Sequence, residues 1–172
     1  MMIALSPVAS SYMLPIAGLP WYWRDLEHDR IDEVLPLVLA VDPDRTEAPH
    51  WRRDAQDRIG NASAGSGIVI AQCFAGLTLA YFFHVCSRAP DGRPRLVVDR
   101  LRWMELGRPH RSLDALLAIV LQTATRFACA EVLLEERACV ERRARAALEQ
   151  RASETGFTAT AGAWRRVVPS SR

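Results

Sequence analysis

From Leu113 to Phe127 the apolar residues Leu113, Leu116, Leu117, Val120, Leu121, Ala124 and Phe127 recur at helical spacing, the clearest periodicity in the chain. A face this apolar has to be buried, so one long helix must lie against a further layer. The flanking sequence supplies that layer. Upstream, the runs 68–74, 77–86 and 95–104 are apolar and of strand length, separated by Ala75-Gly76 and by Ala89-Pro90-Asp91-Gly92. Links this short require antiparallel neighbours. Downstream, 131–135 reads as a short strand, and 138–155 as an Ala/Arg-rich helix closed by Gly156. Strands over 157–160 and 164–168 end the pattern.

The first third reads in the same way. Trp21-Tyr22-Trp23-Arg24 predicts a strand, and Ile31, Val34, Leu35 and Val38 recur at helical spacing behind the acidic Glu27, Asp29, Asp32 and Glu33. Pro36 falls inside that pattern and predicts a kink or a stop. Trp51, Ala55 and Ile59 mark a second helix over 46–59, followed by a small-residue loop over 60–67. The order is β-α-α-β-β-β-α-β-α-β-β, an α/β (α+β) chain with a mixed sheet and helices packed on it.

Composition narrows the class. The chain has 172 residues, 49% hydrophobic and 24% charged, which suits one ordered domain. Residues 21–168 are expected to form it, with 1–20 an extended arm and 169–172 a tail. The arm is apolar but carries Pro7, Pro15 and Pro20 and no basic residue, which argues against a signal peptide or a membrane helix. Net charge is +2, too little to call for nucleic acid. All 22 basic residues are Arg, a bias that a GC-rich genome explains; no lysine is present for a Schiff base. Cys73, Cys86, Cys129 and Cys139 show no C-x-x-C spacing and no metal-ligand cluster. A reduced, cytoplasmic setting without a metal follows as the expectation.

This element order resembles that of the GNAT superfamily of N-acetyltransferases, over roughly 21–168. Leu101-Arg102-Trp103 is similar to the strand before that family's CoA loop, Leu116-Leu117 to the paired leucines of the helix after it, and Val132-Leu133-Leu134-Glu135 to the next strand. Gly156-Phe157 resembles the Gly-Phe closing the last helix. Aligned on these, the pyrophosphate motif Arg/Gln-x-x-Gly-x-Gly/Ala falls on Arg108-Pro109-His110-Arg111-Ser112-Leu113. Arg108 keeps the first position, while Arg111 and Leu113 replace both small residues. In the family, the glycines let backbone N–H groups approach a phosphate at a helix N-terminus. Here Arg108, His110 and Arg111 offer side-chain donors instead, and Ser112 is a candidate cap. Asp114, in the first turn, opposes a phosphate.

The resemblance implies acetyl-CoA as co-substrate, with the thioester against Leu101 and Trp103. It implies direct transfer to a small-molecule or peptide amine, by a monomer or a homodimer. The reaction needs a base for the amine proton, donors for the oxyanion and an acid for the thiolate. Asp99 and Glu105 are candidate bases; strict alternation puts Asp99 on the face of Leu101 and Trp103. His84, in an apolar strand, is a third candidate. Cys139 has no evident His partner and is a poor nucleophile candidate. The family's acidic tyrosine falls on Ala152, which motivates an alternative: a catalytically impaired domain that binds CoA or another ligand, or regulates. Arg137, Arg142, Arg143, Arg145 and Arg151, with Arg165 and Arg166, suggest a weaker third possibility, an anion or nucleic-acid face. Interleaved Glu135, Glu136, Glu141, Glu149 and Glu154 argue instead for a solvated, ion-paired helix.

Overall fold

The computed structural model of the chain describes residues 12–16, 19–41, 48–61, 65–73, 76–105, 110–138 and 142–169. Strands β1 (Tyr12–Ile16) and β2 (Leu19–Asp25) lead into a seven-residue 3-10 helix, His28–Val34. Helices α1 (Leu35–Val41) and α2 (Ala48–Gly60) follow, then strands β3 (Ser66–Gln72), β4 (Thr78–Arg88) and β5 (Pro94–Trp103). Helix α3 (Arg111–Arg126), β6 (Glu131–Glu135), a short 3-10 turn Glu136–Ala138, α4 (Arg142–Glu154), β7 (Thr158–Thr160) and β8 (Ala163–Val167) complete the order.

The elements form an eight-stranded sheet in the order β1-β2-β3-β4-β5-β6-β8-β7. Every pairing is antiparallel except β5 with β6, which α3 connects as the crossover. One apolar cluster joins α3 and α4 to one sheet face through Leu113, Leu116, Val120, Leu148 and Ala152. A second joins the 3-10 helix, α1 and α2 to the other face, around Trp51, Ala55, Ile70, Tyr81 and Phe83. The stripe from Leu113 to Ala124 is buried as its spacing requires. Each fully buried leucine in it contributes roughly 1.5–3 kcal/mol of transfer free energy.

One expectation is corrected here. The segment 1–20 is not all arm: Tyr12–Ile16 pairs with Leu19–Asp25 and adds an edge strand. Pro15 is accommodated because β1 is that edge, and Pro20 because pairing with β3 begins only at Tyr22. A helix does stop at Pro36: the 3-10 helix ends at Val34 with Leu35 as its C-cap. A 3-10 helix occupies the stretch before it, and Pro36 sits in the first turn of α1, where its missing N–H has no intrahelical partner to lose. Gly156, at φ 86°, takes the left-handed conformation expected just past the end of α4.

Candidate functional site

The parallel pairing of β5 with β6 covers only four residues and ends at Val98 opposite Leu134. From Asp99 to Trp103, β5 pairs with β4 alone, so the sheet opens on that side toward the start of α3. A β-bulge marks the same level. The register with β4 shifts between Phe83, opposite Arg100, and His84, opposite Val98. Asp99 is thereby the extra residue, and strict alternation fails there. Leu101 is buried in the α3-side cluster with Trp103 packed against it, whereas Asp99 turns to the opposite face and bonds Arg58 of α2. Its expected place beside Leu101 and Trp103 is therefore wrong, because the bulge adds one residue to the count.

On that face Asp99 lines a cavity of about 490 Å³ together with Asp54, Asp57, Arg58, Ser66 and Arg100. Arg100 donates to Asp54 at 2.9 Å and lies over the Phe83 ring, 4.8 Å from its centroid. The two arginines are thus each committed to a carboxylate, and Asp57 is exposed at the rim.

A residue that sequence reasoning passed over is Arg102. It is 8% exposed and donates to the carbonyls of Leu101 at 2.9 Å and Ala138 at 2.7 Å. Ala138 closes the 3-10 turn after β6, so this guanidinium bridges the strands where their ladder has ended. Its position inside an apolar strand, between two residues that do face the core, was the only signal available.

The start of α3 departs from expectation in a useful way. Arg108 and Pro109 lie outside the described residues. His110 is the N-cap and adopts φ 63°, the left-handed conformation. Arg111 opens the helix, and Leu113 is a regular, fully buried helical residue facing the core. The positive φ thus falls on His110 and not on Leu113. Ser112 does not cap: it is inside the helix and buried, and its N–H donates to the Glu105 carboxylate at 3.2 Å. Glu105 therefore supplies an anion at the helix N-terminus from the strand side, where the macrodipole favours it. Asp114 is held bidentately by Arg151 of α4, at 2.7 and 2.8 Å, which offsets its charge in the first turn of α3.

His84 lies on the α3 face, opposite to Asp99, between the rings of Phe82 and Phe127. It is 1% exposed, and among the described residues neither ring nitrogen has a hydrogen-bond partner. Burial pushes it down to about 4, with Asp25 opposing and Arg126 and Arg58 adding to the shift. The ring fits because Gly67 has no side chain; a Cβ there would stand 3.0 Å from Nε2. Of the three candidate bases, then, the structure places Asp99 at the split, Glu105 at the helix end and His84 inside the opposite face.

Ala152 is fully buried in the α3-side cluster. Cys139 lies outside the described residues. Among those described, no group of three or more His, Cys, Asp or Glu is placed to hold a metal, and no helix is long and apolar enough to cross a membrane. Four arginines of the α4 region are engaged: Arg137 with Glu135, Arg145 with Glu136, Arg151 with Asp114 and Glu154, and Arg165 with Glu131.

No protein-family model and no curated sequence matches the chain. Solved structures do. An acetyltransferase of the GNAT family from Listeria monocytogenes aligns with a TM-score of 0.65 at 10% identity, over 91% of this chain and 99% of that one. The fold is that of the GNAT acetyltransferases. A chain of the NatC complex bound to Gag peptide and CoA also aligns, with a TM-score of 0.55 at 16% identity, over 88% of this chain and 99% of that one. A transcriptional regulator from Bacillus halodurans aligns at 0.60 and 14% identity, over 80% and 93%. At such identities the likeness carries the architecture and leaves chemistry to the site.

Proposed function

We propose that this protein is an acetyl-CoA-dependent N-acetyltransferase that passes the acetyl group directly to an amine. The observation that supports the reading is the early end of the β5–β6 ladder, which leaves Asp99–Trp103 without a strand partner on that side among the described residues. A thioester lying along that free stretch would have main-chain groups beside it and the N-terminus of α3 ahead for its phosphates. Arg111 and His110 stand at that terminus, with Arg108 just before them in sequence. Asp99 is the base in this scheme. The bulge sets it at the vertex of the split, in the α2-side cavity, and Arg58 fixes its orientation. A small-molecule or peptide amine entering by that cavity reaches the thioester from the face opposite α3. A reducing, cytoplasmic setting belongs to the same reading; free thiols at Cys73, Cys86 and Cys129 support it.

Titration calorimetry with acetyl-CoA, followed by turnover on a panel of amines, peptides and polyamines, tests the proposal. Asp99→Asn should lower turnover at least about a hundredfold, the usual worth of a positioned base, with the CoA affinity unchanged. No heat and no thermal stabilisation at millimolar acetyl-CoA would sink it.

One alternative has its own support. Ala152 brings no acid to the thiolate, and Glu105 holds the helix end that a phosphate would use. A GNAT-fold module that binds CoA or another ligand without turning it over fits those two facts. CoA binding with no turnover on any amine of the panel would favour it.

A further inference from the structure

A regular strand points neighbouring side chains to opposite faces. The bulge in β5 breaks that rule, and as a result two consecutive residues of opposite charge, Asp99 and Arg100, both line the α2-side cavity. Helix α2 presents the complementary pair. Asp54 and Arg58 lie four residues apart on one face of it and line the same cavity. Arg58 donates to Asp99, and Arg100 donates to Asp54 at 2.9 Å. Two carboxylates thus stand against two guanidiniums, alternating in sign and without net charge. Asp57, the remaining charge of the lining, is exposed at the rim.

Both guanidinium groups rest over the ring of Phe83, Arg58 at 5.6 Å and Arg100 at 4.8 Å from its centroid, which holds them against the cavity wall. Their hydrogen bonding is incomplete. Asp99 Oδ1 and Arg100 Nη1 are buried and have no partner among the described residues. One is an acceptor and the other a donor, and leaving such groups unmade is costly. A ligand that offers an ammonium to Asp99 and a carboxylate to Arg100, once the two head groups turn toward it, makes both bonds. A diamine sets a second cation against the arginines, and a dicarboxylate sets a second anion against Asp99 and Asp54. A zwitterion meets neither repulsion.

We propose that this cavity is a binding site for a free α-amino acid, with its ammonium on Asp99 and its carboxylate on Arg100. An α-amino acid carries both charges on one carbon, and the bulge sets their counter-groups on adjacent residues. A peptide N-terminus has the ammonium without the neighbouring carboxylate. The ligand carboxylate takes the place of Asp54 as the partner of Arg100. Resting on the acetyltransferase reading, the same amino acid is the acceptor. One ammonium proton passes to Asp99, and the nitrogen bonds to the thioester carbonyl carbon. The C–S bond breaks, a second nitrogen proton ends on the CoA sulfur, and the products are the N-acetyl amino acid and CoA.

Saturation-transfer NMR and thermal shift of the full-length chain with the natural L-amino acids, with and without acetyl-CoA, test the site. At least one L-amino acid should bind. Its amide and its decarboxylated amine should each bind about tenfold to a hundredfold more weakly, the usual worth of a charged hydrogen bond. Arg100→Gln should bring the amino acid and its amine within about threefold of each other. Asp54→Asn frees Arg100 from its present partner and should tighten the amino acid about threefold to tenfold. These opposite effects separate recognition from damage to the fold. The proposal is overturned by binding of no L-amino acid, by an amine that binds as well as its amino acid, or by an Arg100→Gln variant that weakens both alike. Amino-acid binding without acetyl transfer would leave the site standing and sink the acetyltransferase reading. Transfer to amines with no preference for a carboxylate would do the reverse.

Discussion

Replacing His84 by leucine should abolish an acid-sensitive part of the stability. In the unfolded chain an imidazole takes up its proton near 6.5; in the fold, burial delays this to about 4. Above 6.5 the ring is neutral in both states and its contribution to stability is fully present. As pH falls from 6.5 to 4 only the unfolded state gains the proton, so stability is lost progressively, and below 4 the loss stops. A depression of this size, at 1.36 kcal/mol per unit, amounts to about 3 kcal/mol. In a chain of 172 residues that corresponds to a fall of about 6–12 °C in melting temperature. Leucine suits the site better than phenylalanine because the ring already stands against Gly67. Urea denaturation of parent and variant at constant ionic strength, across about pH 7.5 to 4, measures the effect. The variant should gain about 3 kcal/mol on the parent as pH falls through that window. Parallel curves would refute the reasoning, because they would mean that His84 protonates as readily folded as unfolded.

Two further outcomes are expected. Glu105→Gln removes the carboxylate that now occupies the N-terminus of α3, so the affinity for CoA, by calorimetry, should rise about threefold to tenfold. The gain should shrink at high salt; unchanged affinity at low salt would show that no phosphate reaches this helix end. Arg102→Met loses the donors to Leu101 and Ala138, so equilibrium unfolding should show a loss of about 1.5–3 kcal/mol. Hydrogen exchange of the variant should accelerate first at β6 and the turn that follows it. Loss confined to α1 and α2 would contradict a bridging role.

The periodic elements were readable because burial of one face imposes a period on the sequence. Leu113 to Ala124, the runs on either side and the strand 131–135 needed only their own neighbours to be recognised. The overall resemblance to acetyltransferases rested on the same order. Strand β1 was not readable. It is a short stretch between prolines with Pro15 inside it, and a proline argues against a strand unless the strand is an edge, which only the assembled sheet decides. Asp99 was named from sequence, but its face was misread, since a bulge is a property of two paired strands and leaves no mark in one of them.

By itself, the sequence determined the elements, their order and the apolar faces that must be covered, because local spacing and side-chain hydrophobicity set those. It also determined that residues 108–113 carry neither small residue of the motif they resemble. Only the tertiary structure decided where the sheet opens, since that depends on where the β5–β6 ladder stops. The same holds for the Glu105 carboxylate at the end of α3 and the neutral His84 in its apolar pocket. In each case the residues come from different elements, so the energy of the contact depends on a distance that no single segment encodes.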